Sequence, residues 1–247
     1  MTPWERRAAR AESLAGDAES ARAPLRLAAV LWRAQGVLAA ALGTTPIVGR
    51  PEDDFGPRAA VAVGELLDRV AAEAPAPLAT DARARAREDP RTYLVPWWRG
   101  SRSGREDYLA RAIARPYAEL LVARDLGPRG EPPWCRLCSG RPWVAYRGEG
   151  GARFVVCALC GGEASVPRIE CPACGEADPE KLAVFQGDRH PAARIEACLA
   201  CRGYLKSIDL SVDARALPEV DELASLALDL WAEENGYVRL EPGLAGI

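Results

Sequence analysis

Apolar residues recur at helical spacing through the first half of the chain. Pro24 opens a run in which Leu27, Val30, Leu31, Ala34, Leu38 and Leu42 share one side, and Gly43 closes it. A second run begins near Pro57, carries Val61, Leu66, Leu67 and Val70, and ends before Pro75 and Pro77. Alanine and arginine alternate over Ala82–Arg87; alanine favours helix and prolines flank the segment, so a short solvated helix is expected rather than a strand. The aromatic knot Tyr93-Leu94-Val95-Pro96-Trp97-Trp98 reads as a plug between helices, with a partner groove as the alternative. A further helical run spans about Arg105 to Asp125 with Tyr108, Ile113, Leu120 and Leu121 on its apolar side, and Pro116 inside it predicts a kink or break.

The texture then changes. Leu126–Pro133 has the glycine and proline content of a linker, and short β-type runs follow: Trp143–Tyr146, Phe154–Val156 and Ala183–Phe185. The turn Arg147–Gly151 makes a hairpin of the first two. Beyond Leu210 the helical period returns. Pro218 suits a first helical position, Asp221 and Glu222 the positive end, and Asn235-Gly236 the stop. Val220, Leu223, Ala227, Leu230 and Trp231 are expected on one face, packed against the rest of the chain because a lone helix of this length is marginal.

The 247 residues, 27% charged and 49% hydrophobic, suffice for one or two domains with a proper core. A net charge of -3 gives no global basic field for nucleic acid or anionic membrane. The single histidine, His190, excludes a three-histidine zinc site and weakens hydrolase readings; a surface or turn position is expected for it. No run approaches the ~20 consecutive apolar residues of a membrane span. The best stretch, Ala34–Gly49, is interrupted by Gly43 and Pro46, Met1–Arg7 leads into more charges, and Leu244–Ile247 carries no prenylation or retention pattern. A cytoplasmic protein without stable membrane insertion is expected.

All eight cysteines follow the linker, in four units of one spacing: Cys135–Cys138, Cys157–Cys160, Cys171–Cys174 and Cys198–Cys201. The units are separated by 18, 10 and 23 residues. A two-residue spacer lets both sulfurs face one ion, and two such knuckles supply the four thiolates of a closed tetrahedral site. Gly140, Gly161, Gly175 and Gly203 follow the units within two residues and can turn the chain in a left-handed conformation. Sequential pairing is favoured, with Cys135, Cys138, Cys157 and Cys160 around one ion and Cys171, Cys174, Cys198 and Cys201 around the other; a cross-braced arrangement is the alternative. A disulfide framework and a thioredoxin-like redox pair are disfavoured by the absence of secretory features and by the glycine-rich ribbon texture. The metal can be iron or zinc, since both fit an all-sulfur tetrahedron. Four thiolates leave no open position for Lewis-acid hydrolysis, so no catalytic residue is assigned.

The order of these knuckles, with Cys171-Pro-Ala-Cys174-Gly175, the stretch Arg194-Ile-Glu-Ala-Cys-Leu-Ala-Cys-Arg-Gly-Tyr-Leu-Lys206 and the closing Asp221–Ala232, resembles the formate dehydrogenase accessory protein family, FdhE. The resemblance covers Cys135 to about Tyr237. It implies an all-helical N-terminal domain (1–130), two rubredoxin-like four-cysteine modules (131–165 and 166–212) and a C-terminal helix (213–247) packing back on the body. It also implies a non-enzymatic cytoplasmic role in maturing formate dehydrogenase by binding its catalytic subunit. Two other readings remain: a rubredoxin-like electron-transfer protein acting on a client, and a zinc-ribbon nucleic-acid binder, which the acidic balance disfavours. Arg194, Glu196, Tyr204 and Lys206 are the candidate contact or support residues around the last knuckle.

Overall fold

The computed structural model describes residues 1–127, 130 and 135–244. Most of the expected linker and residues 245–247 therefore lie outside the described residues.

Thr2 starts α1 (Pro3–Asp17) with a reciprocal capping box: Glu5 N–H donates to Thr2 Oγ1 at 3.2 Å, and Thr2 N–H donates to Glu5 Oε2 at 2.6 Å. Ala8, Ala11 and Ala15 form its buried side, which lets it lie close on α2 (Arg22–Gly43). Gly36 of α2 marks the tightest approach, since a Cβ there would sit 3.1 Å from Cβ of Trp4. Helix α2 (with the 3₁₀ turn before it, Glu19–Gly43) is long and apolar enough to cross a membrane. Here Leu25, Leu31, Trp32, Leu38 and Leu42 are fully buried against neighbouring helices and form the centre of the domain.

The short α3 (Pro51–Asp54) leads into α4 (Pro57–Glu73), where Val63, Leu66, Leu67 and Val70 face inward and Val61 points to solvent. The alanine–arginine segment lies largely within α5 (Ala76–Arg85), which buries Ala79 and Ala82. Its Arg83 donates to Ala71 O, and Arg85 pairs with Asp81 and Asp107. The aromatic knot is α6 (Arg91–Arg99): Trp97 is buried with its Nε1 donating to Ser103 O, and the Trp98 ring meets Tyr117 edge-on at 5.2 Å. That is the expected plug between helices.

Asp107 caps α7 (Tyr108–Ala123), which runs through Pro116 as one helix. Proline has no N–H for the carbonyl four residues earlier, that of Ala112. The fully buried Gln35 supplies the missing donor, with Nε2 2.7 Å from Ala112 O. The lost intrahelical bond is thus replaced from the facing helix α2.

Beyond the linker the chain builds one seven-stranded sheet from β1 (Pro142–Arg147), β2 (Arg153–Cys157), β3 (Glu163–Val166), β4 (Leu182–Gln186), β5 (Ala193–Cys198), β6 (Gly203–Asp209) and β7 (Val238–Arg239). The strand order is β3-β2-β1-β6-β5-β4, with β7 alongside the start of β6. The order knuckle–strand–strand–knuckle–strand occurs twice, each time as an antiparallel meander. The two meanders join where β1 runs parallel to β6, Val144 opposite Lys206 and Arg147 opposite Asp209. The two four-cysteine modules therefore share a single sheet.

Alternation gives this sheet two faces. Val144, Ile195, Ala197, Tyr204 and Ile208 belong to the same core as the helices. Ala145, Val155 and Leu205 form a small separate cluster on the other side. The C-terminal helical segment covers the first face as α8 (Pro218–Asp221), a 3₁₀ turn (Glu222–Ser225) and α9 (Leu226–Glu234), and Gly236 (φ 74°) takes the chain out of it.

The expected single apolar face is corrected here. Val220, Leu223, Leu228 and Ala232 are buried, Trp231 packs on Phe185 with centroids 4.5 Å apart, and Ala227 and Leu230 are exposed. A 3₁₀ turn advances about 120° per residue against about 100° for an α-helix, so four residues rotate the following face by about 80°.

Candidate metal centres

Three of the knuckles are tight turns closed by a backbone hydrogen bond to the first cysteine. Ser139 N–H donates to Cys135 O at 2.7 Å, Gly161 N–H to Cys157 O at 3.0 Å and Gly175 N–H to Cys171 O at 2.9 Å. The residue directly after the second cysteine takes a left-handed conformation every time: Ser139 (φ 58°), Gly161 (65°), Gly175 (76°) and Arg202 (59°). Gly140 and Gly203, expected to supply that conformation, sit one residue later and serve close approach instead. A Cβ on Gly140 would lie 2.6 Å from Cys157 Sγ, and one on Gly203 would lie 3.2 Å from Cys201 Sγ. The backbone N–H groups of Gly140, Gly162 and Gly203 each point at a cysteine sulfur, 3.4 Å away.

The turns bring the sulfurs together in two groups, Cys135, Cys138, Cys157 and Cys160 in one, and Cys171, Cys174, Cys198 and Cys201 in the other, all within 4.8 Å of one another in each. In the first group Sγ–Sγ is 3.7 Å for Cys135–Cys160 and 3.5 Å for Cys138–Cys157. In the second it is 3.7 Å for Cys171–Cys201 and 3.8 Å for Cys174–Cys198. A regular tetrahedron with metal–sulfur bonds of about 2.3 Å has edges of about 3.8 Å, whereas a disulfide needs about 2.05 Å. The donor set and its spacing thus fit a four-coordinate ion in either group, and both groups can hold a metal ion.

As free thiols the first group cannot ionise independently. Hydrogen bonds from Cys138, Cys157 and Cys160 hold the Cys135 thiol far below its ordinary range, and bonding to Cys135 together with burial pushes those three far above it. In the second group burial pushes Cys201 up to about 12 and raises Cys171; Cys198 is lowered, its burial outweighed by the backbone N–H groups of Cys201 and Ala200. A divalent cation offsets half of the four negative charges that such a cage otherwise resists.

The two groups differ in setting. Cys138, Cys157 and Cys160 are buried in the common core, where the first group meets the helical domain, while Cys174 and Cys201 are exposed at the far end of the sheet. His190 lies in the β4–β5 loop, partly buried, and belongs to neither group.

The support residues behave differently from one another. Glu196 pairs with Arg153 and Arg194 on the outer sheet face. Tyr204 and Lys206 point inward to a buried cluster in which Lys206 Nζ pairs with Glu222 at 2.8 Å and with Asp229, Arg239 pairs with the same two carboxylates, and Tyr204 OH donates to Asp229 at 3.0 Å. Two cations and two carboxylates, all within 1% of full burial, close on one another.

A second set of charges fastens the helices to the C-terminal segment. Arg7 and Arg115 grip Glu219, Arg10 grips Asp213 and Asp221, and Arg111 donates to the carbonyls of Pro242 and Gly243. Sequence reasoning missed both clusters. The available signal was charge at inward positions: Lys206 within a strand alternation, and Glu222 and Asp229 among the apolar residues of the last helical segment.

Fold and sites together define a class, a helical domain fused to a sheet of two tandem four-cysteine ribbons. Residues 169–244 match the family model described as the FdhE C-terminal domain. The Protein FdhE homolog of Pseudomonas putida KT2440 is 35% identical over 149 residues, 56% of this chain and 46% of that protein. The one from Aquifex aeolicus VF5 is 32% identical over 117 residues, 46% of this chain and 41% of that protein. The aligned part thus spans less than half the length of either curated relative. The crystal structure of the FdhE protein from Pseudomonas aeruginosa superposes with a TM-score of 0.70 at 27% identity, covering 98% of this chain and 94% of that one. The chain is thus similar to FdhE proteins in the sequence of its C-terminal region and in fold.

Proposed function

We propose that this protein is a cytoplasmic accessory factor, not an enzyme, that binds the catalytic subunit of formate dehydrogenase during its maturation and carries two resident metal ions, iron or zinc. The ligands are Cys135, Cys138, Cys157 and Cys160 for one ion and Cys171, Cys174, Cys198 and Cys201 for the other. The observation that carries the reading is the pair of four-sulfur cages, whose spacing suits a closed tetrahedral ion, in a chain similar to FdhE proteins in sequence and fold. Either metal would cross-link its two knuckles, and iron would in addition exchange a single electron. The first cage then secures the sheet under the helical domain. The second, with Cys174 and Cys201 at the surface, sits where a client can touch it. That exposure also favours a second reading, electron exchange with the client through the second cage. No nucleic-acid role is proposed, because the net charge is -3 before any thiolate is counted.

The test is capture from anaerobically grown cells of the native host with a tagged wild-type chain and a Cys135→Ser/Cys198→Ser double variant. Recovery of the catalytic subunit by wild type alone supports a metal-dependent client handler. Recovery by both supports docking that does not need the ions. Absence from both overturns the reading. A red, reducible, iron-loaded protein supports the electron-exchange alternative, and a colourless protein with two zinc ions removes it.

A further inference from the structure

The outer face of the sheet carries a half-open cavity of about 300 Å³ between the second cage and the last residues of β1. Its floor is sheet, with Leu205 at the centre, and its apolar lip includes Ile169 and Val184, each more than half exposed. Its other end is basic. Arg147 and Arg153 stand directly opposite each other on the antiparallel β1–β2 pair, and Arg168 reaches the same cavity from the segment after β3.

Like charges in cross-strand register are unfavourable unless something of opposite sign lies between them. Arg153 is provided for: it is buried, pairs with Glu196 at 2.8 Å, and donates to the carbonyls of Pro167 and Glu170, which fixes the cavity wall. Glu196 is in turn shared with Arg194 at 2.7 Å. The Arg168 side chain bonds the carbonyl of Gly150, and the Arg147 side chain makes no hydrogen bond or close ion pair among the described residues; Asp209, beside it on β6, and Glu196 act on it only at longer range. Three arginines and two carboxylates, Glu170 and Glu196, line the cavity. Arg147 and Arg168, which form no close ion pair among the described residues, therefore share one end, with the apolar lip within the same lining.

We propose that this trough is a docking site for an extended acidic peptide segment, one carboxylate seated on Arg147 and Arg168 and a neighbouring aliphatic side chain laid on Ile169 and Val184. Charge complementarity selects the carboxylate, and the open form selects a chain segment. A free small carboxylate is held tightly when 70–90% of its surface is enclosed, and a trough on a sheet face does not do that. The proposal is independent of the client reading, since a catalytic subunit can be captured through any other surface.

The test is fluorescence anisotropy of the metal-loaded full chain with a fluorescein-labelled octapeptide of alternating glutamate and leucine. Saturable binding is expected, weakened about ten-fold by Arg147→Gln and by raising salt from about 50 to about 500 mM, as surface charge pairing requires. Arg168→Gln serves as a second variant should Arg147→Gln lose its circular-dichroism signature or its metal, and Arg99→Gln, remote on α6, should change nothing. Equal binding of the glutamine-for-glutamate peptide, indifference to both trough substitutions, or no binding at millimolar protein overturns the proposal. Displacement by hexanoate as effective as by unlabelled peptide also overturns it, in favour of a small-carboxylate site. Capture of the catalytic subunit without peptide binding would sink this inference alone.

Discussion

Single residues decide whether each half of this chain closes. Gln35 and Pro116 are such a pair: one removes a backbone donor from α7 and the other returns it from α2 at 2.7 Å. Replacing Gln35 by Met leaves Ala112 O buried without its donor, which should cost about 1–3 kcal/mol in urea unfolding. Pro116→Ala restores an N–H for that carbonyl, so the double variant should recover part of the loss; strictly additive costs would refute the compensation. The knuckles show the same dependence on one atom. Their positions were legible, because a two-residue spacer dictates the turn and nothing else in the chain repeats it. The role of the glycines was legible only in part: at Ser139 and Arg202 the left-handed turn is held without glycine, while Gly140 is needed because Cys157 Sγ lies where its Cβ would be.

Among elements, periodicity placed α2, α4 and α7 and the β1–β2 hairpin, since each has one face that must be buried. It misplaced the apolar face of the last helix, because the 3₁₀ turn at Glu222–Ser225 changes the angle per residue and leaves no mark in the spacing of leucines. It also could not show that four arginines, Arg7, Arg10, Arg111 and Arg115, turn toward the C-terminal segment, since outward and inward arginines read alike in a solvated pattern. The joint they make has a pH signature. Burial alone would raise the Glu219 carboxyl, but Arg115 and Arg7 outweigh it and hold it below the ordinary value of 4.5. A carboxyl lowered in the folded state contributes fully above its unfolded pKa and loses that contribution as pH falls through the folded one. Wild type should thus lose stability as the pH drops below about 4.5, and Glu219→Gln should show less of that loss. At neutral pH the same variant should be about 1–3 kcal/mol less stable, because it leaves the buried Arg115 with Glu119 as its one remaining carboxylate among the described residues. Thermal melts across pH 3–7 check both signs; parallel curves for the two proteins would contradict the assignment.

For the molecule as a whole, one core runs from Trp4 to Leu244 and includes the first cage but leaves the second at the open end of the sheet. Two ions of the same kind should therefore leave at different rates. Loaded with zinc and mixed with a chromogenic chelator, the protein is expected to release metal in two phases of equal amplitude. The fast phase should vanish in Cys174→Ser/Cys201→Ser, and loss of the slow phase should coincide with unfolding monitored by tryptophan fluorescence. A single phase would mean that the surface cage is held as firmly as the buried one. The identical strand order of the two meanders carries a further consequence. A unit of this kind that arises by duplication starts with both copies under the same constraint, to bind an ion and to fold. In this chain the first copy is enclosed by the helices, whereas the second leaves two of its four cysteines exposed. Substitutions around Cys138 and Cys157 must therefore satisfy the helices as well as the ion, and should cost more stability in urea unfolding than substitutions around β4 and the Ile169 lip.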